Sequence, residues 1–425
     1  MPAKITQQRR SAKVRAAGTR LISGLALAAL VGVAGSHAAQ AAPAKQTISS
    51  KIAREMIAAQ KALQGGKYAD GLKNLQAAEA KGGLTPFDHK TIDDLKAYAY
   101  VKMNNMKGAE QAWEAALQTG AASPQDQQRF TRAVFQLSYN AKEYPKAIEY
   151  GKKMVDLGLG GADIYAVIGQ SYYLTNNCKD ASAYMDKAIA ATRQEGKAPQ
   201  EAFYQIKLRC AFNAKDTAGE IQGYSDLVRL TNKPDYWNAL LRIERQNEKE
   251  DRNILMIYRL MYNTNSMRET SDYIEMAQLL GDAALPEEAQ NVVQKLIASG
   301  SVAPAQQDRV NRLLKELQKR VATDKAGLAS FEKEADKSPA GQLDVKMGEV
   351  YYGLGNFESA VQIINKGLAK GQVKNLGEAY VYLGLSYQAL KNPAAAKKAL
   401  AHLKGLPSMP DNIQKLWLLY AATLS

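Results

Sequence analysis

The stretch YAVIGQSYYLTNNCKDASAYMDKA, Tyr165 to Ala188, constrains the whole chain because its pattern recurs. It runs Tyr165, Ile168-Gly169, Tyr172, a polar break, then Ala181, Met185 and Ala188. Apolar residues three and four apart on both sides of a break specify two amphipathic helices joined by a turn. Gly169 admits the partner helix at close range and Tyr172 covers that contact. Ala181 and Ala188 are small where the second helix crosses the first. One such hairpin cannot bury its apolar faces alone, so copies must stack.

The copies occupy nearly everything beyond residue 50. The first places Ala59 and Ala62 before the turn Gly66-Lys67-Tyr68, then Leu75 and Ala78; the second has Ala97, Tyr100, Ala109, Trp113 and Ala116. The third departs from the pattern with Phe135 in the small slot, followed by Tyr144, Ala147 and Met154. The fifth, with Tyr204, Leu208, Ala211, Tyr224 and Leu227, is looser, and TNKPD (Thr231 to Asp235) breaks the chain after it. The slots 59, 97, 135, 169 and 208 are 38, 38, 34 and 39 residues apart. Later copies centre on Leu240-Leu241, on Met276-Ala277, on Met347-Gly348-x2-Tyr351 and on Tyr380-x2-Leu383-Gly384-x2-Tyr387. Slots 277 and 348 are 71 apart, which leaves room for a degenerate hairpin over 305–337 carrying Leu313-Leu314, Leu328 and Phe331. A last amphipathic stretch over 411–424 predicts a capping helix.

The Leu-Gly-x2-Tyr and Ala-x3-large-x2-Ala spacing resembles the tetratricopeptide repeat, whose period is about 34 residues. The resemblance implies an all-α, right-handed α-solenoid of about ten hairpins, in an N-terminal block 51–232 and a C-terminal block 233–425. It also implies a non-catalytic platform that binds a protein or peptide. In that family the first helix of each pair lines a concave groove. On those helices one face collects Arg132, Gln136, Tyr139, Gln170, Tyr173, Gln205, Arg209, Asn238, Arg242 and Arg245. Such a surface, with few acids, suits carboxylates, backbone amides or acidic peptide segments. The Lys/Asn/Arg clamp by which some members hold a C-terminal carboxylate is not present as a set. YWNALLRIERQ (Tyr236 to Gln246) and DYIEMAQLL (Asp272 to Leu280) resemble exported proteobacterial repeat proteins that accompany TonB-type envelope complexes. A polysaccharide-export or cell-wall role, binding glycan or its synthesis machinery, is the second reading and an enzyme the third.

Residues 1–41 have an export layout. Lys4, Arg9, Arg10, Lys13, Arg15 and Arg20 precede the 14-residue apolar run Leu21 to Ala34, and Ala39-Gln40-Ala41 offers a small-x-small cleavage site. The run is short for a membrane span, and no Cys follows that would carry a lipoprotein anchor. QRRSAKV lacks the apolar flank of a twin-arginine signal, so the general secretory route is the expectation and the twin-arginine route the alternative. The formal charge of +14 loses these six cations on cleavage and falls to +8. A linker, 42–50, follows. The expected location is therefore the periplasm, with no nucleic-acid partner and no membrane span in the mature chain.

Export also places Cys178 and Cys210, the only cysteines, in an oxidising compartment. Cys178 opens the second helix of the fourth hairpin and Cys210 lies near the end of the next helix, which predicts a disulfide. Two buried thiols are the alternative. Beyond the leader only His89 and His402 remain, no His-x3-His or Cys-x2-Cys spacing occurs, and no metal or cofactor is expected. Gly158-Leu159-Gly160-Gly161 has Asp163 where a dinucleotide fingerprint needs its third Gly, so it reads as an inter-repeat turn. Arg309, Arg312, Lys319 and Arg320 read as a solvated helix face, interrupted by Glu316. Mass spectrometry of the exported protein should show a chain beginning at Ala42; a full-length, membrane-bound product would refute the leader.

Overall fold

Seven helical hairpins come first. They pair α1 (Ala53–Gln64) with α2 (Tyr68–Glu79), α3 (Pro86–Lys102) with α4 (Met106–Gln118), α5 (Pro124–Asn140) with α6 (Tyr144–Met154), and α7 (Ala162–Leu174) with α8 (Cys178–Gln194). Then α9 (Glu201–Ala214) pairs with α10 (Thr217–Thr231), α11 (Pro234–Asn247) with α12 (Asp251–Asn263), and α13 (Thr270–Asp282) with α14 (Pro286–Ala298). A lone helix, α15 (Gln307–Lys337), precedes two more hairpins, α16 (Gln342–Gly353) with α17 (Phe357–Lys370) and α18 (Leu376–Ala389) with α19 (Pro393–Ala401), and α20 (Asp411–Thr423) ends the chain. The computed structural model describes residues 46–425. The leader expected at 1–41 and linker residues 42–45 lie outside them. The end of the linker is docked, since the Ser49 backbone N–H donates to Asp88 Oδ1 at 2.9 Å.

Local chemistry sets each turn. In eight of the nine hairpins a residue with positive φ stands two positions before the second helix: Gly66, Asn104, Lys142, Asn176, Lys215, Ala284, Gly355 and Lys391. That left-handed step reverses the chain. Next to it, the Asn105, Asn177, Asn356 and Asn392 side chains accept from the backbone N–H three residues on and cap the second helix. The small slot is a steric requirement at the strongest copies. A methyl group on Gly169 would stand 2.8 Å from Met185 Cε, and one on Gly384 would stand 2.7 Å from Leu400 Cγ.

Residues 305–337 correct the sequence expectation. They form no hairpin but one 31-residue helix after a short turn at Pro304–Gln306. Nothing inside it supplies the left-handed residue that every other hairpin turn but α11–α12 uses, and Lys, Glu, Ala and Leu favour continued helix. It buries a single stripe, Val310, Leu317 and Val321, with Ala335 near its end. At about 46 Å it is more than twice as long as its neighbours α14 and α16. These two pack directly on each other beneath it.

The C-terminal half closes on itself, which the sequence did not announce. The last helix, α20, packs not only on α19 but on α10 and α12. Trp237 meets Tyr420 edge to face at 6.4 Å, and Asn412 Nδ2 donates to Glu244 Oε2 at 3.1 Å. At the centre Arg259, 1% exposed, donates to both Glu288 oxygens at 3.1 Å, and the Tyr382 hydroxyl donates to Glu288 at 2.6 Å. Arg252 pairs with Glu378 at 2.6 Å across the same seam. One apolar core, from Val228 to Leu424, fills this half, whereas the first five hairpins hold four smaller clusters.

Glu349 on α16 is 2% exposed, beside Arg259 and Glu378, with Lys346 Nζ 2.7 Å away. Burial outweighs the lysine and pushes its carboxyl up to about 7. A raised carboxyl stabilises the fold fully below its unfolded value of 4.5, and this contribution is lost as pH rises to about 7. Glu349→Gln should therefore gain stability over the wild type on going from pH 5 to pH 8, by on the order of 2–3 kcal/mol. Urea unfolding at the two pH values checks this, and a constant difference between the proteins would refute it.

Candidate functional site

The face singled out in the sequence lies on α5, α7, α9 and α11. Arg132, Gln136, Gln170, Gln205 and Arg209 are exposed, and Tyr139, Tyr173, Asn238, Arg242 and Arg245 are half-buried. Neighbouring first helices meet along it. Gln205 Nε2 donates to the Tyr236 hydroxyl at 2.9 Å, joining α9 to α11, and Lys233 Nζ reaches Glu201 at 2.6 Å. Hydrogen bonds from Lys233 and Tyr236 hold the Glu201 carboxyl below its ordinary range.

The face is not uniform, and the expectation of few acids fails on α11. Arg242 pairs with Glu269 at 2.9 Å and Arg245 with Glu275 at 3.4 Å, both on or beside α13. The Arg245 guanidinium also lies over the Tyr258 ring, 5.4 Å from its centre. Asn238 Nδ2 donates to the Ser266 carbonyl at 2.7 Å. All three side chains bind hairpin six to hairpin seven, so they are joints between repeats. Charge reversal at Arg242 or Arg245 would crowd carboxylates together and disturb the fold.

On α5, α7 and α9 the side chains other than Gln205 stay more open. Among the described residues neither Arg132 nor Arg209 forms an ion pair. The Arg209 guanidinium lies over the Phe212 ring at 5.9 Å, and Tyr139 meets Tyr144 edge to face at 6.1 Å. Leu174 and Phe212 are 42% and 58% exposed, two of the few large apolar side chains that face water. By repeat position Phe212 corresponds to Tyr139 and Tyr173, and Leu174 to Asn140 and Asn213; helical phase therefore puts Leu174 on this face, though its type gives no signal of it.

Behind this surface a disulfide joins Cys178 of α8 to Cys210 of α9, with Cα atoms 5.3 Å apart. A cavity of about 430 Å³ opens beside it, lined by Lys179, Lys207, Asp216 and Asp226 among others. Its opposed charges and shallow walls define no ligand. The basic stripe on α15 is partly engaged, since Arg320 Nη2 donates to the Gly281 carbonyl at 2.6 Å and Arg309 reaches Gln278 at 3.4 Å. His402 stacks on Tyr380 at 4.6 Å. Among the described residues no group of His, Cys, Asp and Glu is arranged to hold a metal ion, and no helix is long and apolar enough to cross a membrane.

Fold and surface together define an all-α solenoid of stacked hairpins with one open face. No family model matches the sequence, nor does any curated protein. Several solved structures are similar in fold. One is Naa15/Naa10 bound to HypK-THB, at 12% identity over 86% of this chain and 65% of that one, with a TM-score of 0.37. Another is the TPR2AB-domain:pHSP90 complex of yeast Sti1, at 12% identity over 63% and 99% of the two chains, with a TM-score of 0.31. A third is a tetratricopeptide repeat protein from Parabacteroides merdae, at 12% identity over 87% and 99%, with a TM-score of 0.27. This chain thus spans just under two thirds of the first neighbour's length. At such TM-scores the likenesses carry no argument about what this chain binds.

Thiol labelling of denatured, unreduced protein should find no reactive cysteine. Replacing both cysteines by Ser should remove about 3–4 kcal/mol in the chain-entropy model, read as easier unfolding in urea. Two labelled thiols, or an unchanged midpoint, would refute the bridge as a stabilising element.

Proposed function

We propose that this chain is an exported tetratricopeptide-type scaffold that binds a protein or peptide partner of the cell envelope on the open first-helix face of its N-terminal block. The single observation that carries the reading is the contrast between the two halves. The C-terminal half fills its own interior, whereas α5, α7 and α9 present Arg132, Gln136, Gln170, Arg209 and Phe212 to solvent. Polar side chains held on rigid helices, with few partners of their own, are what a recognition surface requires. The periplasm is the proposed location, after removal of residues 1–41 by a signal peptidase. Association with a TonB-type complex is the proposed context, resting on the segments at Tyr236 to Gln246 and Asp272 to Leu280.

Photo-crosslinkers placed at Gln170 and, as a control, at exposed Lys325 of α15 test the reading in living cells. A discrete protein adduct is expected from Gln170 and none from Lys325. A glycan adduct from Gln170 would replace the partner class, and protein adducts from Lys325 alone would place binding on the other side.

A further inference from the structure

Helix pairing sorts the turns of the N-terminal block onto two edges. Short connections make each helix antiparallel to the next, and second helices pack on the following first helices, α2 on α3, α4 on α5, α6 on α7 and α8 on α9. The turns within hairpins therefore line one edge and the turns between hairpins the other. The two edges differ in chemistry.

On the within-hairpin edge apolar side chains stand in water. Met103 and Met106 flank the α3–α4 turn, Leu174 ends α7 and Phe212 lies in the last turn of α9. Of the exposed large apolar side chains among the described residues, only Ile57 lies elsewhere, midway along α1. Lysines surround these tips. Lys67, Lys102, Lys142, Lys179 and Lys215 are exposed, and none is in an ion pair among the described residues. Acids are fewer. Glu143 is taken by Lys107 at 2.5 Å, and Asp70, Asp180 and Asp216 stand at the starts of second helices, where the helix dipole favours them. At the opposite edge Lys81, Lys197 and Lys233 pair with Glu55, Glu195 and Glu201 at 2.7, 2.8 and 2.6 Å. No large apolar side chain is exposed there among the described residues.

Turn chemistry does not ask for these lysines. Lys142 and Lys215 occupy the left-handed position, with φ of 63° and 55°, which Gly66, Asn104 and Asn176 fill in the other hairpins of this block. Gly and Asn adopt that conformation at lower cost. Lys67 stands just before α2 and makes no cap, where Asn105 and Asn177 cap α4 and α8. Three turns thus carry a cation in place of a better turn residue.

Lysine is depleted in protein interfaces, whereas lysines around scattered apolar tips suit an anionic bilayer. We propose that the within-hairpin edge of the N-terminal block docks on an anionic phospholipid surface. Met103, Met106, Leu174 and Phe212 enter the headgroup layer, and the turn lysines pair with its phosphates. Gln136 and Gln170 lie about a turn back from this edge and stay open, so the inference is independent of the groove reading.

Sedimentation of the mature chain with vesicles tests this. Vesicles of equal parts phosphatidylglycerol and phosphatidylcholine should bind it at least about tenfold more strongly than phosphatidylcholine alone, and added salt should weaken the binding. The variant K67N/K142N/K215N places at each site the residue that other turns use, so its thermal midpoint should not fall. Its affinity for the anionic vesicles should drop at least about tenfold. K315Q/K325Q/K333Q, on the exposed face of α15, removes the same charge and should retain most of the binding. Equal binding to both vesicles, no binding to either, or equal losses in the two variants overturns the proposal. A photo-crosslinker at Met103 in living cells should label lipid. A discrete protein adduct there would overturn the proposal by giving the edge to a protein, whatever Gln170 captures.

Discussion

A guanidinium with no route to water governs the C-terminal half. Arg259 leaves α12 fully buried, and its charge is tolerable only because Glu288 of α14 and Tyr382 of α18 converge on it. Removing one partner of such a pair costs about 3–5 kcal/mol, because the other stays buried and uncompensated. Three helices from distant parts of the chain must therefore arrive together. Apolar replacement of the whole set need not weaken the protein. What the set contributes is register: only one arrangement of α12, α14 and α18 satisfies it.

That arrangement depends in turn on α15. Before it, second helices (α12 and α14) supply the interior with Arg259 and Glu288; after it, first helices (α16 and α18) supply Glu349 and Tyr382. An unpaired helix reverses which member of a hairpin faces inward. With a true hairpin at 305–337 the phase would have continued, and Tyr382 would have pointed away from Glu288. The array could then have gone on as an open solenoid. The lone helix is the device that lets α20 return to α10 and α12.

The legibility of the fold follows from the range of its interactions. Left-handed turn residues and caps act over a few residues, and small slots act within one hairpin, so repeats at Gly169, Gly348 and Gly384 could be read directly. Closure joins residues 94 to 168 positions apart, such as Tyr382 with Glu288 and Asn412 with Glu244, and no periodicity reports it. The long helix was readable in principle. No turn residue with a following Asn or Asp cap interrupts 307–337, and leucine spacing alone does not make a turn. On the proposed binding face, helical phase placed Arg132, Gln170 and Arg209 at the surface, where all three are exposed. It erred about Arg242 and Arg245 because their partners, Glu269 and Glu275, arrive from the next hairpin.

The two halves have complementary mechanical roles. A closed half with one continuous core resists bending, whereas a stack of hairpins held by smaller clusters can flex between repeats. Flexing in the open half would vary the spacing of α7 and α9, and with it the match to any extended ligand. The Cys178–Cys210 bridge sits at that junction, tying the start of α8 to the end of α9, one residue from Arg209 and two from Phe212. A covalent tie there fixes the spacing before a ligand arrives, so less ordering entropy is spent on binding. Stiffness is therefore placed beside the proposed binding face, between α8 and α9.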